Sequence, residues 1–218
     1  LPQLSKYIQS KKKDKILLIQ NKALELSLFL SLPASAALLI GSEQIISALF
    51  GYGSFNEVSV LNSGMALYYF ALGLPAFSLI KVFSIFFFAN HDTKIPFYIS
   101  LVSVILNILI SIYYFNKIGF IIIPIATSIS SWFNALLLFI FLKNENLFNF
   151  NKIFLVRFIK IIIASLLMGI FFNFLLTYFQ NELAFNQKIK SFYLILSVAL
   201  GLLFYLFVSY WIKAFKIS

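Results

Sequence analysis

Lys81 lies within a long apolar run, residues 58–90, and is the one charge deep inside such a run, about ten residues from its nearer end. An ammonium group there has two uses. It can attend a polar group crossing the apolar layer, or it can reach back to the headgroups or to a helix C-terminus. Asn107 and Asn134 sit inside later apolar runs, where each carboxamide must either bond a neighbouring helix or line a polar cavity. Asn62, Ser128, Ser130 and Ser131 pose the same choice, and Ala126 with these serines allows close helix contact. Glu57 opens the 58–90 run, where a carboxylate suits the positive end of a helix. Lys81, Asn107, Asn134 and Glu57 are therefore the candidates for transport or cavity lining.

Bond-making chemistry has almost no material here. Seven carboxylates, one histidine and no cysteine offer neither a metal site nor a general acid/base couple, and no phosphate-cradling loop with its lysine is present. The expectation is a protein that is not an enzyme, holds no cofactor or metal, and does not hydrolyse ATP. The formal net charge of +10 does not point to nucleic acid, because the basic residues form short clusters beside apolar runs without interleaved aromatics. Attraction to anionic headgroups accounts for them.

The elements that must position these residues are long. Apolar runs at 26–42, 58–90, 95–116, 118–142, 161–181 and 191–212 dominate a chain that is 61% hydrophobic and 11% charged, with mean hydropathy +0.97. That leaves too little polar side chain to coat a soluble globule. Crossing a ~30 Å hydrocarbon core takes roughly 20 residues of helix, and the continuous runs lack the alternation of a β-barrel. The class predicted is all-α, a polytopic membrane bundle of six transmembrane helices. The first is expected to begin near Ile16, carrying Lys22 and Glu25 at headgroup level. Sorting basic residues by connection puts Lys6, Lys11, Lys12, Lys13, Lys15, Lys22, Lys94, Lys143, Lys152, Arg157, Lys160, Lys213 and Lys216 on one side and Lys117, Lys188 and Lys190 on the other. Positive charge stays inside, so both termini are expected in the cytoplasm.

Residues 43–50 are too short to span and read as an interfacial helix on the outer face, followed by a turn at Gly51 and Gly53. Pro33, Pro75 and Pro124 fall inside spans, and each leaves a carbonyl one turn earlier without its donor unless a neighbour supplies one. Gly73 and Pro75 are the candidates for helix bending. His91, Asp92, Thr93 and Lys94 form a tight cytoplasmic turn, with Pro96 at the start of the next helix.

Four segments carry a resemblance: LPQLSK (1–6), SLPASAALLIGSEQIISALFGYGSF (31–55), YYFALGLPAFSLIKVFSIFFFANHDTKIPFYIS (68–100) and IATSISSWFNALLLFIFLK (125–143). They resemble the C-terminal half of the lipid II flippases, the MurJ or MviN proteins of the multidrug, oligosaccharidyl-lipid and polysaccharide exporters. The third is the most specific, with Lys81, Asp92, Thr93 and Pro96 in step with the family pattern. The match is close over 1–145, whereas 146–218 resembles the family only as two further apolar helices.

That family's fold is two six-helix lobes plus a terminal pair. The resemblance implies a second-lobe bundle at 1–145, with four transmembrane helices and the short interfacial helix at about 43–50, and a terminal pair at 146–218 bordering a groove for the polyprenyl tail. It implies part of a flippase in the bacterial cytoplasmic (inner) membrane. Such a flippase moves undecaprenyl-linked peptidoglycan precursor, lipid II, from the inner to the outer leaflet by alternating access. The implied partners are lipid II or a similar polyprenyl-pyrophosphate-linked saccharide, the bilayer and a first lobe. The chain begins in mid-motif, lacks that lobe, and carries SIFFFAN where the family has other residues, so a fragment or one half of a split protein, inactive by itself, is expected. The alternatives are a flippase for another polyprenyl-linked oligosaccharide and a structural membrane subunit that transports nothing.

Overall fold

The computed structural model describes residues 13–145 and 147–214; the LPQLSK segment and Lys6, Lys11, Lys12 and Lys216 lie outside them. The described residues form six α-helices: α1 (Lys13–Phe50), α2 (Glu57–Ala89), α3 (Lys94–Ile118), α4 (Ile122–Asn144), α5 (Lys152–Tyr178) and α6 (Lys190–Trp211). A 3-10 turn, Gly119–Ile121, separates α3 from α4. Five stretches are long and apolar enough to cross a membrane, and the third, Lys94–Asn144, contains both α3 and α4. Large apolar side chains face outward along them, among them Ile112 at 70% and Tyr210 at 85% exposure. Hydrocarbon is the solvent that tolerates such a surface, and helices satisfy their own backbone within it.

Local chemistry sets the helix ends. Asn56 caps α2 by accepting the Ser59 N–H at 2.9 Å, and Asn151 caps α5 by accepting the Ile153 N–H at 3.1 Å. The cap at Asn151 starts α5 nine residues ahead of the apolar run at 161. Glu57 is thus a first-turn residue of α2 and Asn56 is its cap. At the end of α2, His91 turns left-handed (φ 61°), its N–H reaches the Phe88 carbonyl, and the Asp92 N–H reaches that of Phe87. This pair of bonds closes the helix in a Schellman arrangement. Lys213 (φ 54°) does the same for α6. The 118–142 run becomes α-helical only at Ile122, so Pro124 sits in the first turn of α4, where its missing N–H costs nothing. Within α1, Gly41 leaves helical geometry (φ −107°, ψ 19°), which kinks the helix and divides it in two.

The chain forms two compact units. The first comprises 13–31 of α1, 73–89 of α2, all of α3 and α4, and the chain as far as Phe158. Its interior is aromatic and aliphatic: Phe148 stacks on Phe86 at 5.8 Å and meets the edge of Phe83 at 6.2 Å, and Leu24, Leu138 and Leu142 are buried in the same unit. The hydrogen-bonded pairs Asn107 with Thr127 and Ser100 with Asn134 run in opposite directions along α3 and α4, making an antiparallel hairpin. The second unit comprises 32–72 and 159–214. Its interior is built around Phe172, Met168, Ile161 and Tyr205. A Cβ at Gly41 would lie 2.8 Å from the Phe172 ring, and one at Gly169 would lie 2.9 Å from Ile40, so both glycines mark a close approach of α1 and α5.

Candidate functional site

In the first unit the carboxamides fall along the α3–α4 seam. Asn107 Nδ2 donates to Thr127 Oγ1 at 3.1 Å and to Ser130 Oγ at 3.3 Å. Asn134 is buried; its Nδ2 donates to Ser100 Oγ at 3.5 Å, while its Oδ1 and the Ser111 hydroxyl oxygen have no partner among the described residues. Ser130, Ser131 and Thr127 spend their hydroxyls on carbonyls of α4 itself. Small residues let α2 approach this helix. A Cβ at Gly73 would lie 2.8 Å from the Ser128 hydroxyl, so residue 73 must stay small whatever bending it supports.

Lys81 is exposed on α2 and makes no hydrogen bond or ion pair among the described residues. The structure therefore brings Asn107 and Asn134 to the α3–α4 seam and Gly73 against α4 at Ser128, without adding Lys81 to the hydrogen-bonded set of that seam. Pro75 is buried and α2 remains helical through it. The turn after α2 is built by Asp92, whose Oδ1 accepts the N–H groups of Lys94 and Ile95 at 2.9 and 3.2 Å; the Thr93 side chain makes no cap bond.

Glu57 belongs to the second unit. With Glu43, Gln44, Ser47 and Gln180 it lines a cavity of about 360 Å³ at the meeting of α1, α2 and the segment after α5. Beside it the chain from Gly51 to Tyr52 is pinned to the start of α6. Lys190 is fully enclosed, its ammonium donating to the Gly51 and Phe185 carbonyls, each at 2.7 Å, with the Tyr52 and Phe185 rings at 4.4 and 4.5 Å. Two carbonyls and two π faces replace the water such a cation loses. Ser191 Oγ adds a bond to the Ala48 carbonyl at 2.6 Å.

Two charged arrangements escaped the sequence reading. Lys190 is no loop residue in solvent, because Gly51 and Phe185 fold over it. Glu25 does not sit free at headgroup level; it is buried and accepts both contacts of Arg157 Nη1, at 3.0 and 2.9 Å. A carboxylate inside an apolar helix implies a counter-charge, and Arg157 is the chain's one arginine, so that signal was present. Gln20, bonding the Leu147 carbonyl at 2.6 Å, and Asn21, bonding the Asn149 carbonyl at 3.1 Å, were also missed.

Long apolar helices, lipid-compatible surfaces and buried polar seams define a multi-pass, all-helical membrane protein. A family model described as Lipid II flippase MurJ matches residues 1–210, continuing well past 145, where the resemblance in sequence motifs fades. The chain belongs to this family. Relatives named "Probable lipid II flippase MurJ" include one from Rhizobium meliloti (strain 1021), 36% identical over 169 residues, which make up 78% of this chain and 32% of that protein. Another, from Rickettsia prowazekii (strain Madrid E), is 33% identical over 183 residues, 84% of this chain and 36% of that protein. The fold is similar to a solved structure described as "Lipid II flippase MurJ, inward closed conformation", with a TM-score of 0.74 and 27% identity, covering 94% of this chain and 40% of that one. The chain spans about a third of the length of these curated relatives.

Proposed function

We propose that this chain forms part of a lipid flippase that carries undecaprenyl-linked peptidoglycan precursor, lipid II, from the inner to the outer leaflet by alternating access. The observation that carries the reading is the family match over residues 1–210. Six membrane crossings fit it, with α3 and α4 as separate spans and both termini in the cytoplasm of a bacterium. In this reading residues 1–145 are the second lobe, with 43–50 as an interfacial helix beyond the break at Gly41, and 146–218 are the terminal pair. A first lobe is the partner needed for transport, so the chain alone is inactive.

Moving a sugar-peptide headgroup through hydrocarbon is prohibitive, since each unsatisfied polar group costs about several kcal/mol, so the route is a hydrated cavity while the tail stays in lipid. The unpartnered acceptors of Asn134 and Ser111 and the exposed cation of Lys81 are the groups this chain offers to such a route. Bending at Gly73 and Pro75 supplies the motion. The test joins this chain to the first lobe of a family member and places it in a strain depleted of its own flippase. Growth supports the reading, and failure to grow with the protein present in the membrane contradicts it.

A further inference from the structure

We propose that the tip of the α3–α4 hairpin, residues 112–123, is a lipid-docking surface that sits inside the headgroup layer of the bilayer, with Lys117 reaching a lipid phosphate. A connection between two helices normally runs through water and carries polar side chains. The α5–α6 connection does so, with Gln180, Asn181, Glu182, Asn186, Gln187 and Lys188. The α3–α4 tip has Asn116 and Lys117 alone among Ile, Phe, Tyr and one Gly. Ile118 is 47% and Phe120 42% exposed, and Ile112, Phe115 and Ile123 are exposed beside them. The exposed apolar face of α3 at Leu101, Ile105 and Ile108 runs into this tip without a polar break, so the lipid-facing surface continues over the turn.

The backbone of the turn suits the same medium. Gly119 is left-handed, at φ 73°, and its N–H donates to the Phe115 carbonyl. The 3-10 turn Gly119–Ile121 then runs directly into α4, with the Ile122 N–H reaching the Gly119 and Phe120 carbonyls. A connection that keeps its own hydrogen bonds is tolerated where water is scarce.

The charge of the tip is placed for a headgroup. Lys117 is the one charged residue between Lys94 and Lys143. Its ammonium lies 5.1 Å from the centre of the Tyr113 ring and 5.6 Å from that of Tyr114, and the two rings meet edge to face at 4.8 Å. It has no hydrogen bond or ion pair among the described residues, so its N–H donors are open to an anionic oxygen. Tyrosine rings and a lysine together mark a membrane boundary, with the rings at the apolar edge and the cation at phosphate level. Length agrees. The 25 residues of α3 rise about 37 Å, more than the ~30 Å hydrocarbon core and less than the ~40–45 Å of core plus headgroups. With Lys94 at one face, the tip ends in the opposite headgroup layer and not beyond it.

The chain has no cysteine, so a single introduced one reports its own position. The test attaches a nitroxide to Phe120→Cys of the full chain in vesicles of phosphatidylethanolamine and phosphatidylglycerol, with Asn186→Cys and Ile105→Cys as references. Collision with a water-soluble nickel chelate is expected to be at least about fivefold lower at 120 than at 186, while collision with oxygen stays within about twofold of that at 105. Lys117→Leu is expected to draw the label at 120 deeper, raising its oxygen-to-nickel ratio about twofold. Ile118→Cys takes the place of Phe120→Cys where that variant loses helix content. Nickel access equal to that at 186 would put the tip in water and overturn the proposal. Loss of access to both probes, in the chain alone or joined to a first lobe, would show protein covering the tip and overturn it equally. An unchanged ratio in Lys117→Leu would overturn the phosphate contact. No transport is measured, so failure here leaves the lipid II reading standing.

Discussion

Ser35 donates its hydroxyl to the Ala71 carbonyl at 2.6 Å, the acceptor that Pro75, four residues on, leaves without its helical donor. A proline inside an apolar helix is tolerated when a neighbour supplies the missing hydrogen bond, and α1 supplies it here. Ser35→Ala is expected to cost about 1–2 kcal/mol by orphaning a buried acceptor. With Pro75→Ala the backbone N–H returns to Ala71, and Ser35→Ala becomes nearly neutral. Thermal unfolding of the four chains in detergent measures the coupling; additive effects would refute the assignment.

Arg157 and Glu25 form an ion pair in the first unit, with side-chain exposures of 28% and 5%. Removing one partner leaves the other charge stranded, which costs about 3 kcal/mol for a buried pair. Glu25→Ala is therefore expected to lower the unfolding temperature markedly, and Glu25→Leu with Arg157→Leu to recover most of the loss. An unchanged transition in Glu25→Ala would deny the pair any structural weight.

Lys190→Met keeps the length of the side chain but withdraws both donors from Gly51 and Phe185. The expected cost is about 2–3 kcal/mol, spent locally, since each buried acceptor loses its bond. Hydrogen exchange gives the local readout: the amides of Gly51 and of Ser191 should exchange at least tenfold faster, with the α3–α4 hairpin unaffected. Equal rates in both proteins would show that the clamp holds nothing.

Lys81 makes no bond among the described residues, so its removal should leave stability unchanged within about 0.5 kcal/mol. Lys81→Ala in a full-length version is nevertheless expected to reduce complementation of a flippase-depleted strain. Normal growth at normal protein levels would make Lys81 a bystander.

The apolar runs were legible because hydrocarbon demands continuous helices, and the sequence writes that demand as uninterrupted apolar residues. The turn at Asp92 and the need of Pro75 for an outside donor were legible for local reasons. The identity of that donor was not, since Ser35 reaches Ala71 only through the packing of α1 on α2. Glu25 and Arg157 lie 132 positions apart and Lys190 and Gly51 lie 139 apart, so only tertiary structure brings them together. Lys188 and Lys190 look alike in sequence, yet one is exposed and the other enclosed. The separate helix read at 43–50 required a break close to residue 42, and the structure puts it at Gly41; glycine alone would not have marked it, because glycine is frequent in membrane helices.

Transport of lipid II remains a proposal for the protein to which this chain contributes. Its most direct measurement is the leaflet distribution of lipid II after depletion of the intact protein in its own cell. Accumulation on the inner leaflet, with loss from the outer one, is the expected result. An unchanged distribution at full depletion would contradict the account.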